Sequence, residues 1–261
     1  MNILDRIILD KRQEVLLKKS LIPIQQLEKS VLFGIKTNSI SANLRNSKSG
    51  IIAEHKRRSP SKATINNDYT VNQVVTAYEN AGVCGISVLT DGKYFGGSLD
   101  DLLLAKASVN TPLLRKDFVV DEYQILEAKA YGADCILLIA AVLSPIEIKN
   151  LSKFAQALGL EVLLEVHDLE ELEKSITTTV NMVGVNNRNL KTFEVSLENS
   201  IQLADKIPNE FVKISESGIS SIDAIKELQK HNYQGFLIGE NFMKSDNIDA
   251  ITKDFITTLE L

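Results

Sequence analysis

Residues able to move protons or hold an anion recur at particular places along this chain of 261 residues, each directly after a short apolar run. Glu54 and Lys56 follow the first run, Lys116 and Asp117 the third, Glu165 the fifth, Asn186 and Arg188 the sixth, Glu216 the seventh, and Gly239-Glu240 the eighth. An amine and a carboxylate within reach of one substrate supply an acid and a base. Charges at strand ends are costly to bury unless paired, so Glu54, Lys56, Lys116, Glu165, Arg188 and Glu216 are expected to face one another as an alternating ion network. The alternative for any one of them is the first solvated residue of a loop.

The stretch Lys56-Arg57-Arg58-Ser59-Pro60-Ser61-Lys62 gathers cations and hydroxyls and reads as an anion pocket, with a solvated basic turn as the competing reading for Arg57, Arg58 and Lys62. Ser217-Gly218 and Gly239-Glu240 follow the seventh and eighth runs, where glycine lets backbone N–H groups approach a phosphate closely. Tyr94, Phe95 and Phe118 follow the second and third runs, and either form an apolar wall for an aromatic substrate or pack the loops. His55, His167 and His231 lie on different units without metal-ligand spacing, so no metal is expected, and they read as surface residues or supports of the site. Cys84 and Cys135 lie at the opening ends of their runs, away from the charged residues, and read as buried hydrophobes in a reducing cytoplasm.

The elements that must bring these groups together follow from periodicity. Eight near-continuous apolar runs, 50–54, 85–89, 112–115, 134–139, 161–166, 182–186, 212–216 and 235–239, suit parallel strands covered on both faces. Segments 71–81, 121–131, 144–158, 168–174, 220–230 and 247–259 carry apolar residues at helical spacing, with Asp121, Ser144, Asp168 and Ser220 as N-caps. Eight strand–helix units make a closed (β/α)8 barrel, in which chemistry sits at the C-terminal ends of the strands. An open doubly wound sheet shares the rhythm but lacks a Gly-x-Gly-x-x-Gly turn after its first strand here. The length suits one domain spanning 1–261. Residues 1–46 precede the repeat as a helical extension of one or two helices, with Ile3, Leu4, Ile7, Ile8, Val15 and Leu16 in a stripe ending before Pro23. That extension either closes the barrel bottom or reaches the substrate pocket.

With 44% hydrophobic residues the chain can bury a large core, and 34 acids against 29 bases give no general attraction to nucleic acid or an anionic membrane. No apolar run is long enough for a transmembrane helix, and the charged N-terminus does not read as a secretory signal.

The segments Ile51-Ile52-Ala53-Glu54-His55-Lys56-Arg57-Arg58-Ser59-Pro60-Ser61-Lys62, Leu114-Arg115-Lys116-Asp117-Phe118, Leu164-Glu165-Val166-His167, Gly184-Val185-Asn186-Asn187-Arg188-Asn189-Leu190 and Ser215-Glu216-Ser217-Gly218-Ile219 together resemble indole-3-glycerol phosphate synthase, over essentially the whole chain. The resemblance implies closure of the pyrrole ring of a carboxyphenylamino-deoxyribulose phosphate with loss of carbon dioxide and water, no cofactor, and a small phosphorylated aromatic substrate. It implies Lys116 as general acid, Glu165 as general base, Lys56 as a second lysine for the substrate's anionic groups, and Glu54 orienting Lys56. Asn186 and Arg188 would position substrate, with Glu216 in the same network. Ser59, Ser217, Gly218 and Gly239 would meet the phosphate, Pro60 and Ser61 would shape the first loop, and Phe95 and Phe118 would line the anthranilate pocket. A cytoplasmic monomer is expected, with possible association with other tryptophan-pathway enzymes.

Three positions depart from the family pattern. Ala63 stands where glycine is usual, His55 where an apolar residue is common, and Glu240 where a small residue often sits beside the phosphate. A carboxylate there is unfavourable unless it turns outward, so the Glu240 side chain is left out of the expected site. Phosphoribosylanthranilate isomerase is a neighbouring alternative whose chemistry needs a cysteine at the mouth. A catalytically silent barrel that binds a phosphorylated metabolite or a protein partner is a third reading, against which the paired Lys116 and Glu165 argue.

Overall fold

The structure, a computed structural model, describes residues 2–189 and 194–261; Met1 and Leu190, the latter closing one of the family-like segments, lie outside the described residues. The chain opens with three helices, α1 (Ile3–Leu21), α2 (Ile24–Glu28) and α3 (Ile40–Asn46). Eight parallel strands follow: β1 (Ile51–His55), β2 (Gly85–Leu89), β3 (Leu113–Lys116), β4 (Cys135–Ile139), β5 (Glu161–Val166), β6 (Met182–Asn186), β7 (Val212–Glu216) and β8 (Gly235–Ile238). Each pairs with the next, and β8 pairs with β1, so the sheet closes into the expected barrel and has no free edge. The helices after β1 and β2 are α4 (Val71–Ala81), α5 (Gly92–Phe95) and α6 (Leu99–Ser108). Then come α7 (Glu122–Ala130), α8 (Pro145–Ala157), α9 (Leu169–Ser175), α10 (Glu198–Leu203), α11 (Ile222–Lys230), α12 (Glu240–Met243) and α13 (Ile248–Glu260).

Strand side chains alternate between faces, and in a closed barrel one face is the interior and the other meets the helices. The core divides on that parity. Ile52, Leu114, Leu137, Leu163, Met182, Ile214 and Leu237 pack together inside the barrel. Their neighbours Ile51, Ala53, Leu113, Ile136, Leu164, Val183 and Phe236 pack against the helices. Glu54, Lys116, Glu165 and Glu216 carry the inward parity one step further along their strands, and Asn186 two steps beyond Met182. Pairing sets their height: Glu165 lies opposite Gly184, and Asn186 opposite Glu216. His55 alternates away from Glu54 and Lys56 to the outward parity, where it is buried near Arg57 and Asp101 and is not a surface residue. Burial, with Arg57 adding to it, lowers its pKa to about 4.

Where expectation and structure differ, local chemistry accounts for it. The first, third and fourth strands begin one residue after the apolar run. Gly50 has a left-handed φ of +65°, Pro112 has no N–H for the ladder, and the Asp134 carboxylate accepts from the main chain of Leu113 and Asn38. Ser221, not Ser220, caps α11, accepting from Ala224 N–H. Among the described residues, four helices lie outside the expected segments: α6, whose leucine run hides its period, and α5, α10 and α12, which at four to six residues are too short to display one.

The extension contains three helices and performs both of the roles considered for it. Ile40 and Leu44 of α3 join the interior cluster at the barrel bottom, where Cys84 and Cys135 are also buried. The Glu161 carboxylate at the start of β5 holds α3 there, accepting from the Ser39 and Ser41 hydroxyls and from the main-chain N–H of Ile40 and Ser41. By contrast, α1 lies at the mouth. Its buried residues are Ile7, Lys11 and Val15, one charged residue within the stripe, whereas Leu16 is exposed. Among the described residues, no helix is long and apolar enough to cross a membrane.

Candidate active site

The inward parity ends in a cavity of about 380 Å³ at the C-terminal ends of the strands. All fifteen residues expected at the site line it: Glu54, Lys56, Ser59, Pro60 and Ser61 from β1 and its loop; Phe95, Lys116 and Phe118 from the second and third units; Glu165, Asn186 and Arg188 from the fifth and sixth; and Glu216, Ser217, Gly218 and Gly239 from the last two. Ile3, Leu4 and Ile7 of α1 also line it, so the stripe of the extension reaches the pocket as one of its two expected roles had it, although none of the three stands among the expected site residues. Tyr94 is not among the lining residues; its hydroxyl donates to Asp10 of α1, so it fastens the extension and is not part of the aromatic wall. Phe95 and Phe118 form that wall, with ring centroids 6.0 Å apart.

Lys116 stands at the centre. Its Nζ lies 3.1 Å from Glu216 Oε2 and 3.8 Å from both Glu54 Oε2 and Glu165 Oε2. Burial works against its charge, but Glu216, Glu54 and Glu165 outweigh it and hold the amine protonated, with a pKa well above the usual value. Lys56 donates to the other oxygen of Glu54 at 2.7 Å, and the Ser87 hydroxyl donates to Oε2. Burial alone would raise the Glu54 pKa, yet the two lysines bring it below the ordinary value. Asn186 Nδ2 donates to Glu165 Oε1 at 3.1 Å, while its Oδ1 accepts from the Arg188 N–H at 3.0 Å. Glu54, Lys56, Lys116, Glu165 and Glu216 therefore form an alternating network of charge around the mouth, and Arg188 adjoins it through its main-chain N–H on Asn186.

Glu216 is the most strained member electrostatically. Burial pushes its pKa up to about 7; Lys116 opposes the shift, and Glu165 and Glu54 add to it. Its Oε1 sits so close over Gly184 that a Cβ there would lie 2.2 Å away, which explains a glycine in the middle of β6. Because the folded-state pKa lies above the ordinary 4.5, the folded chain binds this proton more tightly than the unfolded one. The associated stability is fully present below pH 4.5 and is lost as the pH rises through about 7. In Glu216→Gln, that loss of stability across the window should disappear, as measured by urea unfolding at a series of pH values.

At the seventh and eighth units, Ser217 and Gly218 both have positive φ, +69° and +77°, directing successive backbone groups at the rim. Glu240 does line the cavity, contrary to its omission from the expected site. Its carboxylate is clasped by Lys62 and Lys244, which hold it well below the usual range although burial pulls the other way. Lys62 is thus engaged rather than merely solvated. Arg57 forms a two-point ion pair with Asp101 at 2.6 and 2.8 Å, and Arg58 donates to the carbonyls of Gly92 and Lys93. These contacts tie the first loop to the second and eighth units. The cysteines lie at the opposite end of the barrel, whereas the proton shuttle of the isomerase alternative needs one at the mouth.

A closed parallel barrel with a buried amine–carboxylate centre in a cavity at the C-terminal ends of its strands defines a TIM-barrel enzyme. Solved structures share that fold. The thiamine phosphate pyrophosphorylase of Pyrococcus furiosus superposes with a TM-score of 0.61 at 14% identity, covering 82% of this chain and 96% of its own. The tryptophan synthase α subunit of Legionella pneumophila does so with 0.61 at 13%, covering 84% and 96%. At that identity the likeness is one of fold alone.

The family model for indole-3-glycerol phosphate synthase matches residues 4–255, and the chain belongs to that family. The indole-3-glycerol phosphate synthase of Bacteroides thetaiotaomicron is 45% identical over 259 residues, 99% of each chain. That of Aliarcobacter butzleri is 42% identical over 256 residues, covering 96% of this chain and 97% of its own. The family's members are carboxy-lyases of tryptophan biosynthesis.

Proposed function

We propose that this chain closes the pyrrole ring of 1-(2-carboxyphenylamino)-1-deoxyribulose 5-phosphate, releasing carbon dioxide and water and forming indole-3-glycerol phosphate. The observation that carries the reading is the placement of the Lys116 ammonium 3.8 Å from Glu165 and 3.1 Å from Glu216 inside one cavity with an aromatic wall and a glycine-rich rim. Lys116 acts as general acid. It protonates the substrate carbonyl oxygen as the aromatic carbon attacks, and loss of carbon dioxide restores the benzene ring. The same oxygen then leaves as water with a further proton. Glu165 acts as general base, taking the carbon proton whose loss makes the new ring aromatic.

Lys56 meets the substrate's anionic groups and assists proton delivery, with Glu54 orienting it. Asn186 and Arg188 position the substrate, and Glu216 holds Lys116. Phe95 and Phe118 receive the anthranilate ring, joined by Ile3, Leu4 and Ile7 of α1. Ser59, Ser217, Gly218 and Gly239 meet the phosphate, and Pro60 and Ser61 shape the loop above it. The reaction needs no cofactor, and residues 1–261 act together as a cytoplasmic monomer. Purified protein incubated with the ribulose phosphate should develop indole fluorescence; binding without turnover, seen as ligand protection in a thermal melt, would leave the chain a silent barrel.

A further inference from the structure

His167 follows β5 directly, two residues beyond Glu165, and its ring is fixed from one side. Its Nδ1 lies 3.2 Å from Glu171 Oε2 of α9, and its main-chain N–H donates to the same oxygen at 2.8 Å. Asn199 of α10 donates to its carbonyl at 2.8 Å. With Nδ1–H directed to Glu171, Nε2 carries the free lone pair of the neutral ring. That nitrogen is buried, has no hydrogen-bond partner among the described residues, and lies 3.7 Å from Glu165 Oε1. Glu165 therefore presents its two oxygens differently: Oε2 toward Lys116, and Oε1 toward Asn186 and His167.

The base of a turnover must shed its proton before the next one. Glu165 is 4% exposed, and on the Lys116 side it faces the same cavity that a bound product would fill. His167 offers a path behind the cavity, since it does not line it. An approach of about 0.5 Å brings Nε2 within hydrogen-bonding range of Oε1.

We propose that His167 is a positioning residue that relays the proton of Glu165 to Glu171 and solvent, resetting the base after each turnover. The carbon–hydrogen electrons remain in the new ring and the proton goes to Glu165. The O–H bond at Oε1 then breaks as an N–H bond forms at Nε2, the imidazolium, held by Glu171, loses its Nδ1 proton to water past that carboxylate, and a solvent-mediated tautomerisation returns the remaining proton to Nδ1 and frees Nε2 for the next turnover. Charged groups act on the ring from every side: Glu165 of β5, Glu171 of α9 and Glu216 of β7, with Lys116 of β3 in contact with the two inner carboxylates. Burial disfavours charge on the ring, yet Glu171, Glu165 and Glu216 outweigh it and raise the ring's pKa above its ordinary value, which favours it as an acceptor. The relay rests on Glu165 being the base.

The test compares kcat and KM across pH in the wild type, His167→Asn, Glu171→Gln and Glu165→Gln. Asparagine retains a donor toward Glu171 but removes the group that faces Glu165. Wild-type kcat should fall on the acid side as imidazolium forms before turnover. In His167→Asn that inflection should vanish and kcat should fall about tenfold, with KM within about twofold, a smaller loss than the roughly 100-fold or more for a group acting on the reacting atoms. Glu171→Gln should move the same inflection to lower pH, because a carboxylate that stabilises imidazolium has gone. A wild-type profile in His167→Asn alongside an inactive Glu165→Gln overturns the relay alone, whereas an active Glu165→Gln overturns the base on which it rests. If a thermal melt shows that His167→Asn does not fold, an unmoved inflection in Glu171→Gln overturns the relay.

Discussion

Replacing Lys116 with alanine is expected to lower kcat by roughly 100- to 10,000-fold, the range over which a positioned acid contributes. The reason is visible in its surroundings. Three buried carboxylates converge on one ammonium, which keeps it charged and fixes its position, so no other group can take its place without moving. Lys56 is nearest in kind, but its amine is bound to the far oxygen of Glu54. Indole fluorescence under single-turnover conditions measures the loss, and undiminished activity in the variant would remove Lys116 from the role of acid. The same substitution should cost most stability at high pH, where Glu216 must ionise without its partner.

Lys11→Met is expected to destabilise the fold by about 3–5 kcal/mol, the usual consequence of removing one member of a buried ion pair. Lys11 is 2% exposed, and its amine lies 3.0 Å from Asp91, 3.1 Å from Asp117 and 2.8 Å from Glu14. Asp117 and Asp91 follow β3 and β2, so this lysine pins α1 to two loops of the mouth. Asp117 also accepts from Arg115 and Thr90 on the helix side of the barrel, next in sequence to Lys116. Urea unfolding measures the loss of stability. Because Ile3, Leu4 and Ile7 line the cavity from the same helix, KM should rise more than kcat falls. A stability within about 1 kcal/mol of the wild type would show that the aspartates find other partners or water.

How much of this was legible beforehand depended on the range of the signal. Strand parity is local, and it placed Glu54, Lys116, Glu165, Asn186 and Glu216 at one rim and turned His55 away. Glycine after β7 and β8 marked positions where the backbone reaches the rim, and Gly218 and Gly239 both line the cavity. Long-range pairing is not local. Lys11 looked like one charge among several in an extension, and only the folded chain brings it to residues 91 and 117. Tyr94 reads as an aromatic at the mouth until α1 supplies Asp10. Glu240 looked repulsive in isolation because the lysines that neutralise it, Lys62 and Lys244, reach it only through the meeting of the first and last units. Gly184 carries no signal at all until the carboxylate of the neighbouring strand lies over it.

The division of each strand into lumen-facing and helix-facing residues means that substitutions and length changes injure this protein in different ways. A substitution alters one compartment. Deleting a single residue within β3 would exchange the two, turning the Arg115 guanidinium into the lumen and delivering the Lys116 amine to the helices, where Glu127 and Gln124 await a different side chain. Changes of length are therefore expected to be borne only in the connections between strand and helix, whereas the charged rim tolerates change residue by residue but no shift along the chain.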